Sequence, residues 1–231
     1  MGTIFNVNEK EFHSIEKSIN TSDLQDTRIL ITGATGFIGK WILGFLIYLN
    51  RCHKSNIILY ATSRNVSKFI DQFPDGSHKS IHWIQGDVKS CDFGIDEVDY
   101  LILGATDVSN IISMDDVFNT CSASFDNESF QKIRVKKKAI LLSSGAVYGR
   151  AKNQDSIFSE DDSLNVDLHE NGIEYQMGKQ VSELKLMRHC RELNYPFVIG
   201  RCFAFVGPHL PLDKHFAIGN FTKNGNALKI T

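Results

Sequence analysis

The stretch that most restricts the architecture of this chain is a compact apolar run, Arg-Ile-Leu-Ile-Thr at 28–32, that ends directly in glycines at 33, 36 and 39. A short continuous apolar run closed by glycine reads as a strand buried on both faces. The residues that follow, 36–50, have helical character and many apolar positions, which predicts a buried helix. Glycine between strand and helix lets the backbone turn sharply, approach a ligand closely and pack the helix tightly on the strand. The helix start then offers free N–H groups and a positive dipole end, which suit a pyrophosphate. Gly33, Thr35, Gly36, Phe37, Ile38 and Gly39 are therefore the expected cofactor-binding residues of this turn. The spacing is GxxGxxG rather than GxGxxG, so the argument rests on its place between the first strand and a helix.

The remaining pattern supports that placement. Apolar runs at 56–62, 81–84, 98–103, 139–143 and 196–199 predict five more strands. Residues 175–193 predict a helix whose apolar face is Val181, Leu184, Met187 and Cys190. An amphipathic helix over 9–20, with Phe12, Ile15 and Ile19 at helical spacing, precedes the first strand. Strands alternating with helices imply right-handed parallel crossovers, hence an α/β fold with a Rossmann-type doubly wound parallel sheet. After Arg201 the pattern turns to loop residues, Gly207, Pro208 and Pro211. The expected organisation is an N-terminal helical extension (1–27), a dinucleotide-binding Rossmann domain (28–200) and an incomplete substrate-binding region (201–231).

Charge and composition exclude several function classes. A formal net charge of −2 over 231 residues gives no global positive field for nucleic acid or an anionic membrane. The densest basic run, 134–138, reads as a solvated turn. The cysteines at 52, 91, 121, 190 and 202 form no CxxC pair, and no histidine completes a metal-ligand spacing; reduced thiols and no metal are expected. The polar, acidic N-terminus is wrong for a signal peptide, and the longest apolar stretch, 41–49, is too short to span a bilayer. A soluble, cytoplasmic protein is expected.

Two positions bear on the choice of dinucleotide. After the second strand, where an acidic residue commonly holds a ribose 2′-hydroxyl, stand Ser63 and Arg64. A guanidinium beside a hydroxyl suits a 2′-phosphate better, which leans the reading from NAD to NADP; a plain surface arginine is the alternative. Asp87, with Val88, follows the third strand and could accept from the adenine amino group or cap a turn.

Tyr175 and Lys179 lie four residues apart at the start of the predicted helix, on one face. An ammonium there favours the tyrosinate and readies the tyrosine for proton exchange with an alcohol or carbonyl near neutral pH. The same lysine can reach the nicotinamide ribose. Ser143 and Ser144 close the fifth strand, at the carboxyl edge beyond which open α/β sheets bind ligands.

Four segments, TGATGFIG at 32–39, SSGAVYG at 143–149, YQMGK at 175–179 and RCFAFVGP at 201–208, resemble the extended short-chain dehydrogenase/reductase family. More narrowly they resemble its nucleotide-sugar epimerase/dehydratase branch. They stand in the family's order and cover most of residues 28–220. The resemblance implies that Ser144 is the catalytic Ser/Thr, Tyr175 the acid/base and Lys179 the cofactor-anchoring lysine. It also implies that Ala105 and Thr106 line the cofactor cleft, that the substrate is a nucleotide sugar, and that two copies can pair as a homodimer. The chain departs from the branch at several positions. Gly145 and Ala146 stand where dehydratases carry an Asp-Glu pair, so dehydration is disfavoured and epimerisation or 4-keto reduction remains. Ala204 replaces a substrate-contacting asparagine, and Ser122 and Ala123 replace a glycine and threonine. A dinucleotide-binding protein with little turnover is the competing reading.

Overall fold

The first strand, β1 (Arg28–Thr32), is central to the sheet. It follows a helix, α1 (Glu9–Ser18), and leads through the glycine turn into α2 (Phe37–His53). The chain continues with β2 (Ile58–Ser63), α3 (Val66–Gln72), β3 (Ile81–Gln85) and β4 (Glu97–Leu103). A single turn, α4 (Glu128–Gln131), leads to β5 (Arg134–Ser144) and a 3₁₀ turn at Gly145–Tyr148. The long helix α5 (Ile173–Glu192) and β6 (Phe197–Cys202) come last among the elements of the described residues. This computed structural model describes residues 9–106, 116, 117, 119, 123–149, 157–167, 169 and 173–210. Cys121, Ser122 and the part of the expected substrate region beyond 210 lie outside the described residues.

The six strands form one parallel sheet in the order β3-β2-β1-β4-β5-β6. This is the doubly wound Rossmann arrangement, in which the chain returns to the centre after β3 and continues outward on the other side. Its core follows from the pleat of β1. Ile29 and Ile31 point to one face, where they pack with Leu43 and Ile47 of α2; Leu30 points to the other, among Leu101, Leu141 and Leu186. A strand buried on both faces needs consecutive apolar residues, which Ile29, Leu30 and Ile31 supply.

Helix α1 joins the first of these cores. Phe12 is fully buried, with ring centroids 5.7 Å from Tyr48 and 6.0 Å from Phe45 of α2. Burying such a ring stabilises the fold by about 1.5–3 kcal/mol. Ile15 and Ile19, expected to share the inward face, are exposed, and the helix stops before Ile19.

Two sequence expectations require correction. The basic run at 134–138 is not a turn but the first half of β5, with Val135 buried and Arg134 and Lys136 both paired to Glu97 on β4. Alternation around Val135 and an acidic partner on the neighbouring strand hold these cations in extended backbone. On α5, the expected face of Val181, Leu184, Met187 and Cys190 is buried only at Cys190; Val181 and Met187 are half-buried and Leu184 is 61% exposed. The buried face is instead Gln176, Lys179, Ser182, Glu183, Leu186 and Cys190. Polar residues occupy its first half because they bond to the sheet's carboxyl edge, a tertiary effect that a hydrophobic pattern cannot reveal.

Candidate active site

The glycine turn is built as close packing requires. Gly33 has φ +71°, and a Cβ there would fall 2.5 Å from the Gly104 carbonyl carbon. At Gly39 a Cβ would fall 2.2 Å from the Gly33 oxygen, so the helix start sits directly on the turn. The Thr32 hydroxyl accepts from Gly104 N at 3.2 Å and Ala105 N at 3.3 Å, tying the ends of β1 and β4 together. Gly36 is the N-cap of α2 and supplies no side-chain acceptor, and the first turn carries no acidic residue. The N–H groups of Phe37, Ile38 and Gly39, in the first turn, have no carbonyl partner within the helix, as at any helix start. Thr35 is half-buried beside them.

At the next strand ends, Ser63 is buried and its hydroxyl accepts from Asn65 N at 3.2 Å, while Arg64 is exposed. Asp87 caps its own turn, accepting from Lys89 N at 2.9 Å. The Val88 carbonyl accepts from the Asn127 amide at 3.0 Å. All of these groups follow the carboxyl ends of β2 and β3.

Lys179 connects the two halves of the edge. It is 4% exposed, and its Nζ donates to Thr106 Oγ1 at 3.0 Å and to the Leu142 carbonyl at 3.2 Å. It reaches from α5 to positions just past β4 and near the end of β5. The same Nζ lies 5.9 Å from the centroid of the half-buried Tyr175 ring. Ser144 closes β5 and caps the 3₁₀ turn, its hydroxyl accepting from Ala146 N at 3.2 Å. Lys179 thus links Thr106, just past β4, with Leu142 near the end of β5, and Ser144 closes that strand, all at the sheet's carboxyl edge.

Sequence reasoning missed a buried network beside them. Glu183, 2% exposed, accepts from Ser143 Oγ at 2.5 Å and from Arg201 Nε at 3.2 Å and Nη2 at 2.9 Å. Arg201 also donates to the Tyr148 hydroxyl at 2.9 Å. The bond to Glu183 holds the Arg201 guanidinium charged more firmly than usual, against the cost of its burial. Glu183 one turn beyond Lys179, and an arginine opening the segment at 201–208, were the available signals. Gly145 is likewise informative: the Phe203 ring occupies the space that its side chain would need, 2.5 Å from an added Cβ.

Fold and edge together define a Rossmann domain of the extended short-chain dehydrogenase/reductase type. The family model described as "NAD dependent epimerase/dehydratase family" matches residues 29–226, and the chain belongs to that family. An epimerase from the methanogen Methanothermobacter thermautotrophicus shares the fold with 22% identity and a TM-score of 0.64, over 87% of this chain and 59% of its own. The UDP-N-acetylglucosamine 4-epimerase of Methanobrevibacter ruminantium, in complex with UDP-N-acetylmuramic acid, shows 21% identity and a TM-score of 0.63 over 88% and 64%. The dTDP-glucose 4,6-dehydratase of Bacillus anthracis, in complex with NAD, shows 17% and 0.61 over 86% and 61%. The chain therefore spans about three fifths of the length of these structures. No curated protein sequence matches it. No helix among the described residues is long and apolar enough to cross a membrane, and no group of three or more metal-ligating side chains occurs among them.

Proposed function

We propose that the chain is the nicotinamide-dinucleotide half of an oxidoreductase acting on a nucleotide sugar, of the epimerase or 4-keto reductase type. The single observation that carries the reading is Lys179, buried and reaching Thr106 and Leu142 with its ammonium beside Tyr175. The glycine turn supports a dinucleotide reading: Gly33 and Gly39 pack backbone on backbone where a Cβ would clash, and no side chain caps the start of α2.

When bound, the nicotinamide supplies the hydride chemistry at a sugar carbon. The chain's own residues do the rest. Phe37, Ile38 and Gly39 hold the pyrophosphate through their N–H groups, with Thr35 beside it. Arg64, exposed past β2, favours the 2′-phosphate of NADP, and Ser63 retains a hydroxyl proton to donate to it. Asp87 and Val88 border the adenine. Ala105 and Thr106 would line the site of the nicotinamide ribose, and Lys179, bonded to Thr106, would hold it. Lys179 also stabilises the Tyr175 phenolate, so that Tyr175 exchanges the proton of the sugar hydroxyl while Ser144 orients its oxygen. Gly145 and Ala146 carry no carboxylate where the branch's dehydratases have an Asp-Glu pair, which argues against water elimination.

Leu184, 61% exposed on α5, supports pairing with a second copy. Titration with NADP(H) and NAD(H), followed by nicotinamide fluorescence, tests the reading. Tight binding of one dinucleotide, then turnover of a nucleotide sugar, is the expected result. Binding without turnover would favour a purely dinucleotide-binding role, and failure to bind either would end the proposal.

A further inference from the structure

The Glu183 network stands outside the roles just given, and its geometry has a direction. Two successive turns of α5 bond to two successive residues of β5: Lys179 to the Leu142 carbonyl and Glu183 to the Ser143 hydroxyl. Gln180 donates to the Val147 carbonyl at 2.8 Å, just past Ser144. From the other side, Arg201 stands opposite Ser143 in the β5–β6 register and grips both Glu183 oxygens. The carboxylate is thus held between a helix, the end of one strand and the neighbouring strand.

A buried ion pair is a poor route to stability, because desolvation offsets most of its Coulomb attraction and apolar residues of equal size often serve as well. What such a pair does well is fix one arrangement, since its hydrogen bonds are satisfied in a single geometry. We infer that Glu183, held by Arg201 and Ser143, is a positioning residue: it sets the register of α5 against the end of β5 so that Lys179 meets the cofactor. The inference rests on the proposed function, because the ligand that Lys179 meets is the nicotinamide ribose. Glu183 touches neither reacting atom.

A double-mutant cycle on NADH or NADPH affinity, read by nicotinamide fluorescence, separates positioning from general support of the fold. Glu183→Gln keeps the side chain's shape but leaves Arg201 without its counter-charge. In the parent protein it is expected to weaken dinucleotide binding about tenfold. In a Lys179→Ala background, where nothing remains for Glu183 to position, the loss should fall below about twofold. Equal losses in both backgrounds, or none in either, overturn the inference while leaving the proposed function standing. A parent protein that binds no dinucleotide overturns both. Should Glu183→Gln fail to fold, Ser143→Ala takes its place. It leaves the Glu183–Arg201 pair intact, and its smaller loss, about threefold, should again vanish without Lys179.

Discussion

Lys179 and Tyr175, one helical turn apart on α5, are held with the ammonium 5.9 Å from the phenol ring centroid while the lysine also donates to Thr106 and Leu142. The pair is anchored to two different strand ends, so helix and sheet together fix where the phenol stands.

Tyr175→Phe removes the hydroxyl and leaves the ring packing in place. Turnover of a nucleotide sugar should fall by at least about 10²-fold, the usual contribution of a positioned acid/base, with dinucleotide affinity nearly unchanged. Steady-state kinetics alongside a binding titration would check this, and normal turnover in the variant would remove Tyr175 from the mechanism.

Gly39→Val tests the cradle. Even a Cβ at this position would lie 2.2 Å from the Gly33 oxygen, which is backbone and cannot swing aside. The variant should lose dinucleotide binding and should also be less stable, because α2 must lift off the turn. Calorimetric titration and thermal unfolding on one preparation would show both effects.

Phe12→Ala measures how firmly α1 belongs to the domain. The ring is fully buried among Trp41, Phe45 and Tyr48. Truncating a buried phenylalanine costs about 3–5 kcal/mol, and urea unfolding should move by an amount in that range. A change under about 0.5 kcal/mol, the level of an ordinary surface substitution, would mean that α1 is dispensable.

His189 gives the fold a pH dependence. It packs against Phe125, Phe130 and Tyr195, and burial lowers its pKa, a shift that Glu192 partly opposes. A histidine whose folded pKa is depressed is more readily protonated in the unfolded chain. Its neutral form therefore costs nothing above the unfolded value of about 6.5, and stability is lost as the pH falls below it. Thermal midpoints measured from pH 7.5 to 5 should decline, and His189→Leu should flatten that decline. An identical slope in the variant would assign the effect elsewhere.

The order of the strands was legible because burial on both faces of a parallel sheet demands continuous apolar runs, and 29–31 and 100–103 have them, whereas α3 and α4 carried no such run and were not predicted. The predicted first strand matches β1 residue for residue. The glycine turn was legible for a related reason, since close backbone approach leaves glycine as the residue that fits. Elements stabilised by partners distant in sequence were misread. The start of β5 was taken for a turn because its cations reveal nothing of Glu97 on the neighbouring strand.

By itself, then, the sequence determined the sheet's alternating pattern, the glycine cradle and the residue types offered at 144, 175 and 179, all of which depend on local spacing and chemistry. Only the tertiary structure decided which face of α5 turns inward. A periodic apolar stripe predicted Leu184, but the carboxyl edge of the sheet presents carbonyl and hydroxyl groups that must be paired. Lys179, Gln180 and Glu183 pair them, and Leu184 is turned outward. Burial of hydrogen-bonding groups set that rotation, and it depends on groups at 142, 143 and 147 that no pattern within the helix contains.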